Sequence, residues 1–123
     1  VPWVPYERLA GEVAASAVVL GVFGTSDKAS RVIPNKVFQA MAAARPVVTA
    51  DTPGIREALV HGESGWLVPA GDPDALAEAL VLLAGDPALR ERLGTAARAR
   101  YEAMGTPAAV ARPLLDAIVE RRR

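Results

Sequence analysis

Two unbroken apolar runs, "AVVLGVF" at 17–23 and "PVVTA" at 46–50, constrain this chain more than any other feature. A strand with one wet face alternates polar and apolar residues, so a run without polar interruption reads as a strand covered on both faces. A third run, "GWLVP" at 65–69, has the same character. Between the runs the spacing turns helical. "PNKVFQAMAAAR" at 34–45 puts Val37, Phe38, Met41 and Ala44 on one stripe, with Pro34 as the first helical residue. "GIREALVHG" at 54–62 reads as a short helix ended by glycine. "DPDALAEALVLLAG" at 72–85 opens on an aspartate cap and lines Leu76, Leu80 and Leu83 along one face. Upstream, "YERLAGEVAAS" sets Leu9, Val13 and Ala17 at helical spacing. Strands separated by helices need crossover connections, which predicts an α/β fold with a mostly parallel sheet and helices on both sides.

The last forty or so residues carry no strand pattern. "PALRERLGTAARARYEAM" and "PAAVARPLLDAIVERRR" read as two helices, the second started or interrupted by Pro113. The expected organisation is an α/β unit over 1–85 and a helical extension of the same domain over 86–123. The opening "VPWVP" reads as the middle of a strand, so the expectation is a domain excerpt with a further segment upstream.

Composition narrows the function classes. At 123 residues, with 51% hydrophobic and 23% charged residues, the chain suits one globular domain with a single core. Its formal net charge of zero gives no electrostatic basis for nucleic-acid or bulk membrane binding. Cysteine is absent, and the one histidine, His61, cannot build a histidine-rich metal centre. No apolar run reaches the roughly 20 residues of a membrane span and no signal peptide opens the chain, which makes the cytoplasm the expected compartment. The terminal "RRR" complements the carboxyl end of its helix. As a tether to the inner membrane face it would contribute about 1 kcal/mol per charge.

In an open parallel sheet a ligand sits beyond the carboxyl ends of the strands. Three loops emerge there: 24–33, 51–54 and 69–72. The first is a polar stretch containing Lys28 and Arg31. If Pro34 is the first helical residue, the cap falls on Ile33, whose side chain accepts no hydrogen bond. The amides of Asn35 and Lys36 are then open, and with Arg31 and Lys36 alongside they form an anion site suited to phosphate. The alternative is that these cations are solvated and that Ser30 or water serves the cap. Ser26, Asp27 and Lys28 either reach the same ligand or form a solvated charge pair. His61 reads as structural and Trp66 as core.

The stretch from "FQAMAAARPVVTADTPGIREAL" to "GESGWLVPAGDPDALAEAL" closely resembles the donor-binding, C-terminal domain of the GT-B glycosyltransferases of the group 1 family, family 4. That family shows "EAMA-x-G-x-PVV", a glycine and glutamate on the next helix, "G-x-x-G-x-LV-P", and "D-x-x-x-LA-x-A". The matches here are Ala40-Met41-Ala42, Pro46-Val47-Val48, Gly54 with Glu57, Gly62 with Gly65 to Pro69, and Asp72 with Leu76-Ala77. The resemblance implies a Rossmann-like sheet, a nucleotide-diphosphate sugar as donor, and metal-independent transfer with retention of configuration, without a cofactor. The acceptor (saccharide, lipid or small molecule) would be held by a missing N-terminal domain.

The resemblance places Lys36 near the diphosphate, and Lys36 with Arg31 are the expected charge-stabilising catalytic residues. It also implies Gly24, Thr25, Pro34, Asn35, Lys36, Gln39, Gly54 and Glu57 as donor and nucleotide contacts. Two glutamates of the family pattern are replaced: Arg31 stands at the sugar-contacting position and Gln39 at the ribose-contacting one. An amide still hydrogen-bonds ribose hydroxyls, without charge assistance. Arg31 cannot accept from sugar hydroxyls; it suits the diphosphate or an acidic group on an unusual donor. Two other readings fit this sequence: an epimerase or phosphorylase of the same two-domain shape, and a non-catalytic nucleotide-sugar-binding or assembly module.

Overall fold

The computed structural model describes residues 2–122. Its elements are α1 (Tyr6–Ala15), β1 (Val19–Leu20), α2 (Asp27–Arg31), α3 (Asn35–Ala42) and β2 (Val47–Ala50). There follow α4 (Pro53–Ala58), β3 (Trp66–Val68), α5 (Pro73–Gly85), α6 (Pro87–Met104) and α7 (Pro107–Arg121). The three strands form one parallel sheet in the order β1-β2-β3, with Val19 opposite Val47 and Val48 opposite Trp66. This is the α/β architecture the apolar runs predict.

Strand β2 is the centre of the core because all four of its residues are buried. Successive side chains of a strand point to opposite faces, so Val47 and Val48 serve two clusters. Val47 packs with Val37, Ala40 and Met41 of α3 and with Ile55, Ala58 and Leu59 around α4. Val48 packs with Val68 and with Ala79 and Leu83 of α5. Helix α6 enters both, through Ala97 in the first cluster and Leu89 and Leu93 in the second.

Three arginines of α6 make it a clamp. A helix leaves its last carbonyls without intrahelical donors. Arg90 donates to the carbonyls of Leu83 and Ala84 at the end of α5. Arg98 donates to Ala42 at the end of α3, and Arg100 donates to Glu57 and Ala58 at the end of α4. Each guanidinium also complements the negative end of the helix it touches.

Several sequence expectations are corrected. The run 17–23 is strand only over Val19–Leu20, and it is an edge strand. Leu20 is 41% exposed, so the run is not covered on both faces. Helix α1 ends at Ala15 with Ser16 as its cap, which leaves Ala17 outside it. Helix α4 stops at Ala58, four residues before Gly62, because Leu59 and the following turn adopt extended and reverse-turn geometry. Pro113 neither starts nor interrupts α7; it lies inside the helix, which begins at Pro107 behind a Thr106 cap. Pro2 to Pro5 form no strand, and Val1 of the predicted opening strand lies outside the described residues, as does Arg123 of the terminal arginines. The predicted stripe of α3 also loses Ala44, since the helix ends at Ala42.

That ending is specific. The amide of Arg45 donates to the carbonyl of Ala40 (2.9 Å) and that of Ala44 to Met41 (3.1 Å), the paired bonds of a Schellman turn. The turn requires a left-handed residue, and Ala44 takes it with φ 54°. The family pattern quoted above carries glycine at this position. Its carbonyl abuts Gly94 of α6, where a methyl group would lie 2.1 Å from the oxygen. Replacing Ala44 by Gly should therefore stabilise the fold by about 1 kcal/mol. Gly94→Ala should destabilise it by about 2 kcal/mol or more through overpacking against fixed backbone. Thermal melts of the two variants check both signs; a lower melting temperature for Ala44→Gly would contradict the strained-turn account.

Candidate functional site: the open start of helix α3

Helix α3 leads into β2, so it runs antiparallel to the strands and begins at their carboxyl edge. Beside it lie the segments leaving β1 (21–26), β2 (51–52) and β3 (69–72). The first and last of these touch, since a methyl group built at Gly71 (φ +71°) would sit 3.0 Å from the Thr25 methyl. Gly24 and Thr25 are exposed on this rim.

Most helices here start with a side-chain cap. Ser26, Thr52, Asp72, Asp86 and Thr106 accept from the amides of Ala29, Ile55, Ala75, Leu89 and Ala109, respectively. Helix α3 does not. Its cap residue is Pro34, which corrects the expectation that Pro34 is the first helical residue and Ile33 the cap. The consequence is unchanged, because a pyrrolidine ring offers no acceptor. The Val37 amide reaches the Pro34 carbonyl at 3.0 Å, while those of Asn35 and Lys36 have no protein acceptor among the described residues. Ser30, the alternative cap, donates its hydroxyl to the carbonyl of Asp27 (2.7 Å).

The polar loop 24–33 is also not a plain loop. It contains the short helix α2, started by Ser26, in which the Arg31 Nε donates to the carbonyl of Asp27 at 3.2 Å. That bond folds Arg31 back along its own helix, and no hydrogen bond or ion pair joins it to Asn35 or Lys36 among the described residues. Asp27 and Lys28 are exposed and form no ion pair with each other.

Gly54 has a packing role. It is buried, and a methyl group there would lie 2.8 Å from the Arg31 carbonyl carbon and 3.1 Å from the Val32 nitrogen. Helix α4 can brace the segment between α2 and α3 only because that methyl is absent. Glu57 is exposed roughly 6 Å of helix further down from Pro53, near the end that Arg100 caps. Gln39 follows Asn35 by one helical turn and lies in a groove of about 440 Å³ between α1 and α3. The groove is also lined by Tyr6, Glu7, Leu9, Ala10, Val13, Ala42 and Ala43. His61 is structural, as its sequence context suggests: Nδ1 accepts from the Leu67 amide at 3.0 Å, and the ring lies 4.6 Å from that of Trp66.

Sequence reasoning missed two features of the rim. Thr49 is fully buried and its hydroxyl donates to the Val22 carbonyl at 3.3 Å, in space left by Gly21. The signal was a polar residue inside an apolar strand. Asp51, at the end of β2, forms a two-pronged pair with Arg56: Nε to Oδ1 at 2.7 Å and Nη2 to Oδ2 at 2.9 Å. Hydrogen bonding from Arg56 holds the Asp51 carboxyl below its ordinary value, against the opposing effect of desolvation. With the folded value depressed, this contribution is full above the unfolded carboxylate range and is lost as pH falls through the lowered value. The pair is exposed, so the stabilisation is small. Titration of the Asp51 carboxyl by NMR should shift upward, towards the ordinary value, in Arg56→Ala. An unchanged midpoint would remove Arg56 as the cause.

No helix is long and apolar enough to cross a membrane among the described residues. The family model of the group 1 glycosyl transferases matches residues 4–86. Over 69 residues the chain is 51% identical to the phosphatidyl-myo-inositol mannosyltransferase of Mycobacterium leprae, covering 54% of this chain and 18% of that one. Over 105 residues it is 36% identical to the D-inositol 3-phosphate glycosyltransferase of Streptomyces griseus subsp. griseus, covering 85% of this chain and 21% of that one. Sucrose-phosphate synthase from Thermosynechococcus elongatus superposes with a TM-score of 0.81 at 29% identity, over 99% of this chain and 29% of that one. The chain thus spans about a fifth of the length of these curated relatives and less than a third of that structure. With more than half its residues matched by one family model, the chain belongs to the group 1 glycosyltransferases and has the fold of their GT-B domains.

Proposed function

We propose that this chain is the donor-binding unit of a retaining glycosyltransferase. It takes a nucleotide-diphosphate sugar, and the glycosyl group passes to an acceptor held by another domain of the same enzyme, without a metal ion. The observation that carries the reading is the open start of α3 at the sheet's carboxyl edge, with Lys36 in its first turn. When the bond to the anomeric carbon breaks, negative charge gathers on the departing β-phosphate. Donors fixed in advance at that spot stabilise the charge more in the transition state than in the ground state. The Asn35 and Lys36 amides are such donors, and the Lys36 ammonium adds a full charge.

Gln39, one turn along at about 5.4 Å, is spaced for the ribose hydroxyls. Gly24 and Thr25 line the rim from the β1 side. Arg31 is a weaker candidate for the diphosphate than the sequence suggested, since one of its N–H groups is spent on Asp27. Gly54 and Glu57 are assigned to bracing and to the outer face of α4 rather than to the donor.

A second reading has one observation in its favour: Arg31 and Gln39 replace both glutamates of the family pattern, which suits a module that binds a nucleotide sugar and does not turn it over. Lys36→Ala in the full natural chain separates the two. A transferase should lose tens-fold or more in kcat, with the product anomer retained in whatever activity remains. An unaltered kcat would take Lys36 out of the mechanism, and a wild-type chain that binds donor without transfer or hydrolysis would favour the binding module.

A further inference from the structure

A cavity of about 510 Å³ lies beyond the amino ends of β1 and β2, at the edge of the sheet opposite the open start of α3. Its volume is that of a small-molecule site. Its polar side chains come from three parts of the chain: Ser16 after α1, Arg45 before β2, and Arg90, Glu91 and Thr95 of α6. Two guanidiniums, one carboxylate and two hydroxyls therefore meet around one space.

The protein leaves these groups largely unspent. None of Arg45, Arg90 and Glu91 takes part in an ion pair among the described residues. Arg90 gives its Nη1 to the carbonyls of Leu83 and Ala84, which anchors the guanidinium. Arg45 has no such anchor: its Nε–H is buried and meets no acceptor among the described residues. A buried donor without an acceptor is destabilising and rare in folded proteins, so the half-buried Arg45 side chain gains from an acceptor brought into the cavity. The helix carbonyls that would repel an anion nearby are already occupied. Ala40 and Met41 accept from the amides of Arg45 and Ala44, and Ala42 accepts from Arg98.

Two guanidiniums suit a phosphoryl group, whose oxygens accept several charge-assisted hydrogen bonds. Glu91 narrows the ligand further. A carboxylate repels a bare phosphate and accepts only, so it needs a ligand that also carries hydroxyl donors. The Thr95 hydroxyl can donate or accept, and the Ser16 hydroxyl, which donates to the Glu12 carbonyl, keeps its oxygen free to accept. We propose that this cavity is a second ligand site, one that takes a phosphorylated sugar, with Arg45 and Arg90 on the phosphate and Glu91 and Thr95 on the sugar hydroxyls. The site is independent of the donor-site reading, since it shares no residue with the open start of α3.

Backbone ¹⁵N–¹H spectra of the full natural chain, titrated separately with glucose 6-phosphate, inorganic phosphate and glucose, test the proposal and tell the two ends of α3 apart. Glucose 6-phosphate should shift the amides of Arg45, Glu91 and Thr95 saturably, with at least tenfold higher affinity than inorganic phosphate. Glucose should leave them unmoved. Arg45→Gln should weaken glucose 6-phosphate tenfold or more. Glu91→Gln, on the exposed face of α6, removes the repulsion and an acceptor together, so inorganic phosphate should bind more tightly and the preference for the sugar phosphate should narrow. Circular dichroism confirms that each variant is folded. Glucose 6-phosphate shifts absent from these three amides, or confined to Asn35 and Lys36, overturn the proposal. So does equal affinity for inorganic phosphate, or a preference indifferent to Glu91→Gln.

Discussion

Helix α3 is fastened at its carboxyl end and bare at its amino end, and the placement of everything near the strand edge follows from that asymmetry. Its buried face, Val37, Ala40 and Met41, is pressed against β2 and α6. Its last carbonyls are consumed by the Schellman turn and by Arg98, and the turn itself is seated on Gly94. With that end satisfied, the helix axis is fixed and the amides of Asn35 and Lys36 are held at the open edge of the sheet. Donors that need no reorganisation when charge appears are what an electrostatic site requires.

Helix α6 makes the fastening possible. It contributes to both core clusters and sends an arginine to the ends of α3, α4 and α5. A segment that reads as a tail on periodicity is therefore a structural tie between the two faces of the sheet. The same economy appears at Gly54, where a missing methyl lets α4 lean on the backbone that delivers α3. The site's positions are set by helix packing far from the open start of α3.

What the sequence disclosed was decided by local rules. Apolar runs gave β2 and β3, the Asp72 cap gave the start of α5, and a proline with no acceptor before α3 gave the open amides even though the cap moved from Ile33 to Pro34. What stayed hidden was decided by tertiary contact. Edge status thinned β1, since a run of β-branched residues says nothing about whether a neighbour covers it. Helix α2 inside the polar loop was concealed by its brevity, although Ser26 was a legible cap. The pairing of Asp51 with Arg56 and the grip of Arg98 on Ala42, 56 residues apart, have no periodic signature at all. Ala44 was legible: the family pattern carries glycine there, and an alanine at φ 54° is the consequence of its absence.

The account stands on two amides. Backbone ¹⁵N–¹H spectra of the natural chain, recorded while a nucleoside diphosphate is added, report on each amide separately. The account predicts that the signals of Asn35 and Lys36 move furthest and first, with Gln39 following and the capped starts of α5 and α6 unmoved. Saturating shifts elsewhere on the chain, with Asn35 and Lys36 unchanged, would contradict it.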